Sequence, residues 1–178
     1  MEVFETVRTV LAVRQFQEKL VPEPLVRQIV EAGHLTASYG NGQPWHFIVV
    51  EDKETLRKLG ALVQTGSYIA QAPLAIVVGM ERSPCAVSDA SRAIQSMILT
   101  AWAQGIGSNW TGFDNLTQMN PKQGFPQEIH LMLDIPQEIE ILAILPFGYP
   151  VAALGKGRKK RKPLGEVAHR ERWNQPYV

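Results

Sequence analysis

Cysteine is nearly absent from this sequence: Cys85 stands alone among 178 residues. An internal disulfide and a cysteine-built zinc site are thereby excluded, and a reducing compartment fits. With no base identified beside it, Cys85 is not expected to act as a nucleophile. The four histidines, His34, His46, His130 and His169, lack H-x-x-x-H or H-x-x-E-H spacing, so no metal site is expected. No apolar run approaches the roughly eighteen residues of a membrane span. The first twenty residues carry Glu2, Glu5, Arg8, Arg14, Glu18 and Lys19, which leaves no room for a secretory apolar core. A cytoplasmic protein with no membrane partner is expected. No G-x-G-x-x-G follows a strand pattern and no G-x-x-x-x-G-K-[ST] occurs, so neither a Rossmann nor a P-loop phosphate site is indicated.

The composition, 45% apolar and 20% charged, is that of a globular protein, and the length suits a single domain over residues 1–178. Net charge is only +1, yet "GKGRKKRKPL" at 155–164 places six Lys/Arg in ten positions. On the residues alone, a solvated linker or a nucleic-acid patch would account for it. The latter is disfavoured because no aromatics interleave the charges, so no nucleic-acid partner is expected.

Periodicity predicts a helix over 2–14, with Val3, Val7, Val10, Leu11 and Arg14 on one face, and a second from Pro24, with Leu25, Ile29, Val30 and Leu35 on its apolar side. "WHFIVVED" reads as a strand, "KETLRKLGALVQ" as a helix, and "QAPLAIVVGME" as a strand that Pro73 can only open. "SDASRAIQSMILTAWAQGIG" is the strongest helix, with Ser88 as N-cap and Gly105 as stop, and it should be central. A short strand at "SNWTGFD", a helix or turn at "QEIHLMLDIP" and a buried strand at "EIEILAILPFGYP" follow. Interleaved helices and strands imply a sheet covered on both faces.

The informative stretch is "ASYGNGQPWHFIVV", residues 37–50. Ser38, Asn41 and Gln43, with glycines at 40 and 42 permitting close approach to the main chain, suit a planar heteroaromatic edge that needs donors and acceptors. A helix C-cap followed by a strand entry explains the same residues.

"TASYGNGQPWHFIVV" resembles the P-S-x-x-N-x-Q-P-W segment of the nitroreductase family of FMN-dependent oxidoreductases, with Ala37 at the family's Pro and Ser38, Asn41, Gln43, Pro44 and Trp45 retained. In the same order along the chain, "VRTVLAVRQF" resembles the family's R-R-S-x-R-x-F, "AIQSMILTAWAQGIGSNWTGFD" its central helix and G-L-G-x-x-W-x-G-F, and "LPFGYPVAALGKGRKKRKPL" its G-Y-P and R-K-P segments. The resemblance covers nearly the whole chain.

It implies an α+β fold, a three-layer sandwich with a mainly antiparallel sheet between helices. It further implies a homodimer holding FMN at sites built from both subunits, with the long helix at the interface and the tail, 166–178, exchanged with the partner. Ser38, Asn41, Gln43 and Pro44 fall on flavin-contacting positions. Arg14 falls on the basic residue that faces the pyrimidine edge, where a cation favours the charge gathered on reduction; on the residues alone it is a solvated helix-end arginine. Thr111 and Gly112 fall where a main-chain N–H meets flavin N5, and Lys159 and Arg161 on the phosphate clamp. Val10 and Ala12 replace an Arg and a Ser that grip the phosphate in the family; the substitute is Arg8 from the preceding turn, two residues away and about 200° around a helix. The implied activity is ping-pong reduction of a small acceptor, a nitroaromatic or a quinone, by NAD(P)H, with no catalytic side chain because the cofactor carries the chemistry. Another flavin reaction, such as dehalogenation or flavin breakdown, and a non-catalytic flavin-binding sensor are the alternatives.

Overall fold

The computed structural model describes residues 2–63, 66–112, 127–152 and 159–177. Its elements are α1 (Val3–Thr9), α2 (Glu23–His34), β1 (Trp45–Val50), α3 (Lys53–Leu62), β2 (Leu74–Met80), α4 (Ala86–Ala103), β3 (Gly107–Ser108), β4 (Thr111–Gly112), α5 (Gln127–Met132) and β5 (Glu140–Gly148). The strands form one antiparallel sheet in the order β1-β2-β5-β3, with β4 also on β5. The fold is α+β, as expected.

The two central strands are apolar without alternation because both their faces are covered. All of β2 is buried, and of β5 only Glu140 is not. One face packs Ile76, Val78, Leu145 and Phe147 under α2 and α4; the other packs Ala75, Val77, Ile141 and Ile144 under α3 and α5. Along β5 the alternation breaks once. Val78 pairs with Ala143 and Gly79 with Ile141, so Leu142 is an extra residue, and Leu142 and Ala143 both turn to the α4 side. One added residue in a ladder has that effect.

Helix α4 is the longest element, and it buries Ala90, Ala93, Ile94, Met97, Ala101 and Trp102. Helix α2 lies along it and against β1. Gly33 permits this approach, since a Cβ there would sit 3.0 Å from Phe47 Cζ and 3.1 Å from Met97. Helix α3 starts at Asp52, whose side chain accepts the backbone N–H and the hydroxyl of Thr55 at 2.8 Å. Those bonds hold the Asp52 carboxyl below its usual range, so its capping contribution is present at neutral pH and fades as pH falls through that lowered value.

Three expectations need correction. The first helix ends at Thr9, not at residue 14, and its buried face is Thr6 and Thr9. The apolar stripe points outward, with Phe4 70% exposed and Val3, Val7 and Leu11 exposed too. From Val10 the chain is extended and docks on the sheet edge: Val13 N–H donates to Ser108 O at 2.7 Å and Gln17 N–H to Tyr149 O at 2.8 Å. Val10 and Val13 are β-branched and suit extended backbone, and these edge bonds replace helical ones. On α2 the core face is Val26, Ile29 and Gly33, while Leu35 caps the helix and is 74% exposed. Helix α4 starts at Ala86 after Cys85, because Asp89 N–H already bonds Cys85 O at 2.9 Å; Ser88 lies inside the first turn and its hydroxyl donates to the same carbonyl.

Residues 164–177 close on themselves. Tyr177 N–H bonds Ala168 O at 3.0 Å, Arg170 N–H bonds Gln175 O at 2.7 Å, and the His169 and Trp173 rings lie 4.5 Å apart. Trp173 is nonetheless 79% exposed in the single chain.

Ile76→Ala, in the centre of the sheet, should lower unfolding free energy by about 2–5 kcal/mol, whereas Leu35→Ala should change it by less than about 0.5 kcal/mol. Urea titrations of the two variants check the pair, and a costly Leu35→Ala would contradict this assignment of the α2 core face.

Candidate functional site

The expected site residues fall into two groups, one in the loop held at the N-terminal end of α4 and one along the sheet edge that follows its C-terminal end. The first is the loop between α2 and β1. Thr36 is tied to α4 by a 2.8 Å bond to the Ser96 hydroxyl. The next anchor is Tyr39, whose N–H donates to both oxygens of Asp89, at 3.0 and 3.2 Å. Then the backbone turns left-handed at Gly40 (φ 56°), Asn41 (φ 55°) and Gln43 (φ 49°). Glycine takes this conformation freely and asparagine readily, but glutamine does so at a cost. Ser38 closes the turn: its carbonyl accepts Asn41 N–H at 3.1 Å and its hydroxyl accepts Gln43 N–H at 2.9 Å. Pro44 is buried, and its carbonyl accepts Glu81 N–H at 2.7 Å, which joins the loop to the end of β2. Asn41 and Gln43 are exposed. The stretch thus enters a strand, as the simpler sequence reading holds, and it does so through a constrained loop with outward polar side chains.

The second group lies along the far sheet edge. β3 and β4 pair with β5 in a single register, Gly107 with Gly148 through Gly112 with Ala143, interrupted at Asn109 and Trp110. The interruption lies opposite Pro146, which has no N–H to give. Asn109 N–H still reaches Pro146 O at 3.3 Å, so in this antiparallel ladder the amides of 107, 109 and 111 face β5 and those of 108, 110 and 112 face away. Asn109 Oδ1 accepts the outward Trp110 N–H at 2.7 Å. The Gly112 amide is aimed off the edge, and a Cβ at 112 would collide with the Trp110 indole. Thr111 is buried with its hydroxyl 2.8 Å from Tyr68 Oη, and its amide is turned into the ladder. Of the two amides expected at N5, the register therefore favours that of Gly112.

Arg14 is exposed on the extended segment, two residues past the bridge between Ala12 and Ser108. Lys159 Nζ donates to Val7 O at 2.7 Å, which brings the basic cluster to the end of α1. Partial burial, and then the charge of Arg161, push the Lys159 pKa down. Arg8 is engaged by Glu5 through bonds of 2.6 and 2.7 Å, so its guanidinium is already neutralised locally. Lys156 and Arg158 of the cluster, and Phe113 and Asp114 beyond β4, lie outside the described residues.

From Asp89 to Trp102, whose indole N–H bonds Thr9 Oγ1 at 3.0 Å, α4 rises about 20 Å at 1.5 Å per residue. The sheet gives a similar figure. Gly112 shares a row with Phe47 three strand spacings away, about 14 Å, and Pro44 lies about 10 Å further along β1. The structure brings Arg14, Gly112, Lys159 and Arg161 to one side and Ser38, Asn41, Gln43 and Pro44 to the other.

Sequence reasoning missed Asp89, 2% exposed in the apolar face of α4. A signal was present, since Asp89, Ala93 and Met97 recur at the spacing of one helix face. It also missed Tyr68 and the Trp110 indole beside Gly112. A cleft of 510 Å³ between α2 and β1 is lined by Glu23, Arg27, Glu31, His34 and Glu51 and holds none of the expected residues. Among the described residues no three His, Cys, Asp or Glu side chains gather as metal ligands, and no helix is long and apolar enough to cross a membrane.

An antiparallel sheet between helix layers, with a polar loop before β1 and an outward glycine amide on the far edge, can present polar and main-chain groups to a planar ligand, and the activity such a frame carries is decided by its relatives. The nitroreductase family model matches residues 8–75 and 66–149, and the chain belongs to the nitroreductase family. It is 33% identical over 155 residues to a candidate NADH dehydrogenase/NAD(P)H nitroreductase of Methanothermobacter thermautotrophicus, covering 84% of this chain and 78% of that one. A solved structure of a candidate NADH dehydrogenase/NAD(P)H nitroreductase from Bacteroides thetaiotaomicron superposes with a TM-score of 0.83 at 26% identity, over 96% of this chain and 98% of that one. An FMN-dependent nitroreductase from Clostridium difficile gives a TM-score of 0.76 at 26% identity, over 84% and 88%.

Proposed function

We propose that this protein reduces small acceptors such as nitroaromatics or quinones, and that NAD(P)H and the acceptor occupy one flavin site in turn. The chain is an NAD(P)H-dependent flavin oxidoreductase, and FMN is its cofactor. When bound, FMN supplies the acceptance and donation of hydride at its N5. The protein's part is to hold and polarise.

The observation that carries the reading is the outward amide of Gly112, a glycine on a sheet edge beside the Trp110 indole, which takes the space a Cβ would need. Arg14 contributes positive charge from the neighbouring extended segment. Lys159 and Arg161 fit a phosphate, because an anion there would attract both cations and oppose the lowering of the Lys159 pKa by burial and by Arg161. Ser38, Asn41, Gln43 and Pro44 address the ring from the other side. Val10 and Ala12 offer no side-chain donors, which places more of the phosphate contact on Lys159 and Arg161.

Both groups are proposed to meet the flavin ring, and within a chain they stand about 17–20 Å apart, wider than that ring. A homodimer whose sites each combine the loop of one subunit with the far edge of the other removes the difficulty. The outward Val3, Phe4 and Val7 on α1, Leu11 just after it and the exposed Trp173 of the tail support burial in such a dimer. A cytoplasmic location accords with the single cysteine. A flavin-binding protein without turnover is the second reading, favoured by Val10 and Ala12.

The purified protein should be yellow, release FMN on heating, and bleach on anaerobic addition of NADH or NADPH with colour restored by menadione. A bound flavin that NAD(P)H never bleaches favours the sensor, and a colourless chain that takes up neither FMN nor FAD contradicts the flavin reading. Lys159→Ala should weaken FMN binding about ten-fold while leaving riboflavin, which lacks the phosphate, nearly unchanged. Equal losses for both ligands in fluorescence titrations would remove Lys159 from the phosphate site.

A further inference from the structure

We infer that Asp89 is a positioning residue for the cofactor, the anchor that holds loop 38–43 in its ligand-ready shape. The inference rests on the flavin reading of that loop. Asp89 is almost wholly buried, and a buried carboxylate is costly unless its hydrogen bonds are made. It accepts the Tyr39 N–H, shared between both oxygens, and faces Arg92 Nη1 at a longer 3.6 Å. Its place in the first turn of α4 lowers the cost, since the helix N-terminus favours an anion.

The loop needs such an anchor. Of its three left-handed residues, Gly40, Asn41 and Gln43, the glutamine takes that backbone at a cost, and such a residue persists only where its surroundings over-determine it. The Ser38–Asn41, Tyr39–Gly42 and Ser38–Gln43 bonds all lie inside the loop and would move with it. The Tyr39–Asp89 bond is different in kind because it joins the loop to a rigid helix. It enters one residue before the first left-handed position, where it fixes the direction from which the turn starts. Asp89 touches no part of the expected flavin contacts itself. It acts through Tyr39 on the placement of Ser38, Asn41 and Gln43, and a loop already in its bound shape spares the ligand the cost of ordering it.

The test compares the full-length wild type with Asp89→Ala and Asp89→Asn by amide hydrogen exchange and FMN titration. Asp89→Ala should speed exchange over 38–43 while β2 stays protected, and weaken FMN about ten- to one-hundred-fold, the range for losing a hydrogen bond to a charged group. Asp89→Asn keeps a neutral acceptor, so its effect should be intermediate, about three- to ten-fold. Should the alanine variant not fold, the asparagine variant decides alone. Unchanged exchange over 38–43, or exchange raised uniformly across the chain, overturns the anchoring role. Selective loosening with undiminished FMN affinity overturns its link to the cofactor. A wild type that takes up no FMN overturns the flavin reading instead, and the exchange comparison still upholds or overturns the anchoring by Asp89.

Discussion

Burial of α4 is the constraint on which the rest depends. An 18-residue helix laid against a four-strand-wide sheet cannot shift by a residue without exposing Ala93, Met97 and Ala101 or burying Ser88, Arg92 and Gln95. Its two ends therefore become fixed points. At one, Asp89 takes hold of the loop before β1; at the other, Trp102 holds α1 through Thr9, and Ile106 N–H folds back on Ala101 O at 2.9 Å to start the edge strand. The loop stands on one of these ends and the edge strand leads away from the other, so the length of α4 and the width of the sheet together set the distance between the groups proposed to meet the ligand. In the proposed dimer, a second copy of the chain is what closes that distance.

Both ends use departures from regular structure. The loop at 38–43 is left-handed at three positions, and the edge strand is broken where Pro146 cannot donate. Regular elements satisfy their own main-chain groups and have few to offer a ligand. An edge strand, paired on one side, leaves every second amide pointing outward, as at Gly112. Strain and broken pairing concentrate at functional positions for that reason.

Much of this was legible in the sequence. β1, α3, β2 and β5 lie where their apolar runs and flanking prolines put them, and Gly105, at φ 78°, ends α4 as expected. What misled was apolar spacing on α1. Val3, Val7 and Leu11 form a good helical stripe, but periodicity says that a face is to be buried, not against what. The extended run from Val10 depended on a carbonyl, that of Ser108, about a hundred residues away. Loop 38–43 was recognisable from Ser38, Asn41 and Gln43, while its anchor was not. Asp89 bonds a main-chain N–H fifty residues distant, and a backbone partner leaves no residue type to notice.

The central claim, that each site takes its loop from one subunit and its edge from the other, is tested by subunit mixing. One parent carries Lys159→Ala and Arg161→Ala and the other Ser38→Ala and Asn41→Ala, each combination chosen to lose FMN. Unfolded together in equal amounts and refolded, the two chains should regain about one quarter of the wild-type FMN sites, because half of the dimers are mixed and each mixed dimer has one undamaged site. No recovery from a mixture that forms mixed dimers would place each site within a single chain and contradict the claim.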